Sequence, residues 1–139
     1  MRLAKILFLT VAVAAVLSAV AALPDRLCFN GEGNYTFYVG TSSKDCREVT
    51  VNSGAALKRL TLSKVCGEAT EYDDFDFESF LKEVNGKVIA CEELSDSVNY
   101  YCTADLPYSV NLYGTKINLH VSVRGEKVKV ASPIIFGGY

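Results

Sequence analysis

Apolar and polar positions alternate along this chain with three different rhythms. From Ile6 to Val16 every position but Thr10 is apolar. Further on, Phe77, Phe80, Leu81 and Val84 recur at i, i+3, i+4 and i+7, one apolar stripe that predicts an amphipathic helix over 77–85. Asp76 stands where an N-cap belongs, Gly86 where the helix would stop, and Glu78 precedes Lys82 by one turn. Elsewhere the rhythm is mostly two, predicting strands over 34–39, 47–51, 61–66, 87–94, 98–103, 108–113, 116–123 and 126–130, with a last edge strand at 134–136. Ser53-Gly54 introduces a short helical turn over 55–60.

These elements predict a β-rich α+β domain, a mainly antiparallel sheet closed as a flattened barrel or sandwich, with the one amphipathic helix packed on it. Arg124-Gly125 marks a hairpin between the last two long strands. In that hairpin Ile117, Leu119, Val121 and Val123 face the core, while Asn118, His120, Ser122 and Arg124 form a polar strip on the other face. There is no internal repeat, low-complexity tract or interdomain linker, so residues 23–139 are expected to form a single domain.

The first 22 residues carry an address. Arg2 and Lys5, the apolar run and the small-residue Ala19-Val20-Ala21 site have the composition of a secretory signal peptide, too short and wrongly flanked for a membrane span. The mature protein is expected to be secreted and extracellular. Of 14 basic residues Arg2 and Lys5 fall in the leader, leaving 12 against 16 acidic ones and a net charge near −4. That balance disfavours nucleic acid as the main partner.

Five cysteines enter an oxidising compartment, where pairing is expected. A two-residue turn at Asp96-Ser97 would set Cys91 opposite Cys102, and Cys28–Cys46 is the preferred second bridge, so the domain is expected to be disulfide-stapled. Cys66 is left free or intermolecular, a monomer being expected over a disulfide-linked dimer. With no C-x-x-C pair and one histidine, no metal site and no cofactor is expected. Asn34-Tyr35-Thr36 is the one glycosylation sequon.

Candidate chemistry is sparse. His120 is the only histidine, and with Arg124 and one of Glu48, Glu92 or Glu93 it could form a ribonuclease-like acid/base site; the ordinary alternative is a solvated strand face. The acidic run from Glu71 to Glu78 offers calcium donors or a sulfated Tyr72, but acidic residues also favour a helix N-terminus. Gly31-Glu32-Gly33 is too short for a nucleotide fingerprint and reads as a turn. No G-x-S-x-G elbow is present, so the balance is against an enzyme. Tyr100, Tyr101, Tyr108 and Tyr113 lie in predicted strands where adjacent residues point to opposite faces, and exposed tyrosines are apt anchors for recognition. In size and cysteine content the chain is similar to small secreted proteins as a class, effectors and allergen-like β-barrels among them, and no motif narrows this to a family. The expected function is an effector-like, non-enzymatic domain that binds an extracellular macromolecule or ligand through a sheet face or strand edge. The alternatives are a ribonuclease-like hydrolase and a peptidase inhibitor presenting the loop 104–108.

Overall fold

A computed structural model describes residues 1–21, 27–30, 33–42 and 44–137. Its elements are helix α1 (Arg2–Ala21), strands β1 (Tyr35–Val39) and β2 (Arg47–Val51), helix α2 (Ala55–Thr61), strand β3 (Val65–Tyr72), helix α3 (Phe77–Glu83), and strands β4 (Lys87–Glu93), β5 (Val98–Thr103), β6 (Val110–Leu112), β7 (Thr115–Ile117), β8 (Leu119–Arg124) and β9 (Lys127–Ser132). Seven strands form an antiparallel sheet in the order β2-β1-β3-β9-β8-β5-β4, and β6 pairs with β7 beside it. Within the sheet the N-terminal half, β2-β1-β3, is paired to the C-terminal half by the β3–β9 ladder, which runs from Glu68↔Ser132 to Tyr72↔Val128.

The apolar sets are those that period two selects. Tyr35 and Phe37 of β1, Leu119 and Val121 of β8 and Val128 and Val130 of β9 bury one face of the sheet, and the α3 stripe Phe77, Phe80, Leu81 and Val84 packs against them. Asp76 caps α3 as expected, accepting from the Ser79 amide at 3.0 Å. The same amide, with the Ser79 hydroxyl, holds the Asp76 carboxyl below the usual carboxylate range. On the opposite face Tyr38, Ala69, Ala131 and Ile135 form a second, smaller cluster with Phe136, whose ring meets Tyr38 edge-on at 4.7 Å.

Several expectations are corrected. Among the described residues β2 and β4 are unpaired on their outer sides, so the sheet is not closed into a barrel, and no second large sheet makes a sandwich. Thr61 belongs to α2, and the strand expected over 61–66 lies instead at Val65–Tyr72. Residues 134–136 form no strand; Ile135 and Phe136 pack as a coil segment.

The stapling is not found: Cys28, Cys46, Cys66, Cys91 and Cys102 are all free thiols. The loop after β4 spans four residues, closed by the Leu94 amide on the Ser97 carbonyl, and Glu93 pairs with Val98. Cys91 therefore faces Tyr100, while a bulge between Val88 and Ala90 sets Cys102 against Val88. A shift of two positions leaves the thiols on diagonal sites, roughly 7–8 Å apart and beyond disulfide reach. Helix α1 also corrects the length argument. Its 20 residues, with mean hydropathy 2.4 and no burial against the domain, are long and apolar enough to cross a membrane.

Candidate functional site

His120 sits on a central strand with both faces covered, and only 8% of it is exposed. Its Nδ1 accepts the Ile135 amide at 3.2 Å, so that nitrogen is unprotonated, and Nε2 meets Asn99 Oδ1 at 3.0 Å as the donor. Tyr101 stacks on the ring at 4.6 Å. Burial, with a smaller push from the Lys129 charge, lowers its pKa to about 4. This is a neutral imidazole with both nitrogens engaged, unfit to shuttle protons at neutral pH. Arg124 lies four residues along β8, roughly 13 Å away by strand rise, and pairs with Asp96 at 3.2 Å. The two do not converge on one reacting atom. The polar strip is likewise no solvated face, because Asn118 and Ser122 are buried with His120.

The four candidate tyrosines divide. Tyr100 packs under α3 against Phe77 at 4.8 Å, and the Tyr108 hydroxyl turns inward to Glu68 Oε1 at 3.1 Å. Tyr101 and Tyr113 instead meet across a groove of about 450 Å³. Strand β4 supplies Ile89, Ala90 and Glu92, β5 supplies Tyr101, and the β6–β7 hairpin closes the far side with Leu112, Tyr113, Thr115 and Ile117. That volume lies within the range of small-ligand sites, and the mix of apolar walls with few polar groups is their usual chemistry. The Tyr101 hydroxyl donates to Glu92 Oε2 at 3.3 Å. Burial first, then the Glu92 charge and the Tyr113 hydroxyl, raise the Tyr101 pKa.

Backbone geometry singles out Tyr113. It occupies the first of two turn positions between Leu112 and Thr115, with φ of 50°, followed by Gly114 at 83°. Both angles are those of a type I′ hairpin turn, for which Asn or Gly suits the first position. A tyrosine held in this left-handed region, and fully exposed, is costly for packing alone.

Sequence reasoning passed over the most enclosed polar cluster. Glu68 on β3 is completely buried and accepts from the Tyr35 hydroxyl, the Tyr108 hydroxyl and the Cys28 amide at 2.8 Å, with Arg59 Nε of α2 at 3.6 Å. The burial and the adjacent carboxylate push the Cys28 thiol and the Tyr35 phenol far up. These groups are poor nucleophiles, and the arrangement ties four segments to the central seam. The signal available was Glu68 itself, a charge flanked by Gly67 and Ala69 inside a run of β-compatible residues.

Cys102 is buried and its thiol pushed up to about 11, whereas Cys91 is exposed on the sheet edge. Asn34 is exposed just before β1. The loop 104–108 is held by the Asn118 side chain, which bonds both backbone groups of Ala104, and by the Asp105 amide on the Val84 carbonyl, with Asp105 and Pro107 exposed. Tyr72 stacks on Phe75 at 5.1 Å. Gly31-Glu32 and Tyr139 lie outside the described residues. Among the described residues no cluster of three or more metal-ligating side chains occurs. Comparison with protein-family models, with curated proteins and with solved structures finds no match to this chain.

Proposed function

We propose that the chain is a secreted recognition domain whose binding site is the groove between the β4–β5 end of the sheet and the β6–β7 hairpin. The observation that carries this reading is Tyr113, an exposed aromatic kept in a costly left-handed conformation at the lip of an apolar groove. Tyr101, braced from behind by His120, gives the opposite wall a rigid aromatic face. Anchors of this type gain contact area at low entropic cost. Secretion is supported by the basic start of α1, its apolar core and the Ala19-Val20-Ala21 site. No reaction is assigned, since the one histidine is engaged on both nitrogens.

The test uses p-cresol and indole as small amphipathic probes in a titration of backbone amide resonances. Shifts confined to residues 89–92, 101 and 112–117, weakened about tenfold by Ile89→Asp, are the expected result; one lost apolar contact and one buried charge are worth that much. Shifts scattered over the surface, or centred on β2, would overturn the assignment.

A further inference from the structure

The groove has a charge as well as a shape. Glu92 is the one charged side chain among its lining residues, and it stands beside two phenol rings. A carboxylate next to aromatic faces attracts a cation twice over, through the ion pair and through the ring quadrupoles. The groove also opens on β4, the sheet's edge strand, all seven of whose residues are exposed. Beyond the bulge at Val88/Ala90 the strand runs regularly through Glu93, leaving a short stretch of unpaired backbone groups beside the groove. The mature chain's net charge near −4 adds a general attraction for basic partners.

We propose that the groove receives the lysine or arginine side chain of an extended partner segment that lies along the outer edge of β4, the cation resting on Glu92 between Tyr101 and Tyr113. This rests on the groove being the recognition site and adds the chemistry of what it recognises. The apolar stem of the basic side chain covers Ile89 and Leu112, and its head reaches the carboxylate.

The probe is an acetylated, amidated pentapeptide, Thr-Val-Arg-Val-Thr, compared with the same peptide carrying citrulline, which keeps the shape and removes the charge. The arginine peptide should shift the amides of 90–93 and the ring resonances of Tyr101, and bind about tenfold more tightly than the citrulline peptide, the size of one cation–π contact plus one exposed ion pair. Glu92→Gln, an exposed and conservative change, should abolish that preference while leaving the amide spectrum dispersed. Equal affinity for the two peptides, or a preference that survives Glu92→Gln, would overturn the proposal. If p-cresol occupies the groove and arginine gains nothing over citrulline, the cation assignment alone fails; if neither probe moves groove resonances, the recognition site fails with it.

Discussion

His120 shows how a residue's chemistry is set by what covers it. Its folded pKa of about 4 lies below the ordinary 6.5, chiefly through burial. As pH falls through 6.5 the unfolded chain takes up a proton that the folded protein refuses until about 4. Stability that is complete above 6.5 is therefore lost progressively toward pH 4, by about 3 kcal/mol in all. His120→Gln removes the titrating group, so its urea midpoint should change far less than the wild type's between pH 7.5 and pH 4.5. Equal losses in the two proteins would place the acid sensitivity elsewhere. The alternation of β8 told correctly that Leu119 and Val121 face one way and His120 and Ser122 the other. It was silent on whether the second face is covered, because its cover, Ile135 and Phe136, comes from a coil segment with no periodicity of its own.

Among the elements, those with a strong period were legible to within a residue or two: β4, β5, β9 and α3 with its Asp76 cap, whereas the single strand expected over 116–123 divides at Asn118 into β7 and β8. Strand β3 was not, since Gly67 weakens a strand and Glu68 contradicts a buried one. Both have tertiary reasons. A Cβ on Gly67 would stand 2.8 Å from the Ser132 carbonyl oxygen, and Glu68 is satisfied by partners drawn from 28, 35, 59 and 108. Register was equally out of reach at 94–97, where loop length decides the pairing and composition allows more than one. The β6–β7 hairpin carries the sharpest test at this scale. Placing Asn where Tyr113 now adopts φ of 50° relieves a strain of about 1 kcal/mol. Tyr113→Asn should raise the thermal midpoint by roughly 4 °C or more while weakening p-cresol binding in the groove. A lower midpoint would mean that the ring is needed for packing, and an unchanged affinity would remove it from the site.

On the scale of the whole molecule, the fold stands without covalent ties. Two apolar clusters cover the two faces of one sheet, and the Glu68 cluster fastens the N-terminal segment, α2 and the 104–108 loop to the seam between its halves. Cysteine arithmetic alone predicted staples, because it weighs compartment and count but knows nothing of register. Here Cys91 and Cys102 end on diagonal sites, and Cys28 lies against Glu68. A single bridge contributes about 3 kcal/mol, and losing one would lower the thermal midpoint by roughly 12 °C or more in a domain of this size. With five free thiols, the midpoint should be the same with and without a reducing agent. Alkylation of the unfolded, unreduced protein should then add five labels, and removal of α1 as a leader would show in the same spectrum as a chain that begins at Ala22 or Leu23. Retention of α1 would instead make it an anchor and move the groove to a membrane surface. Three labels or one, together with a midpoint that falls on reduction, would mean that the thiols pair after export. A single bridge among Cys28, Cys46 and Cys66 would move the segments around them, the start of β3 included, and leave the β4–β5 register that separates Cys91 from Cys102 standing; a second bridge would have to draw in Cys91 or Cys102 as well.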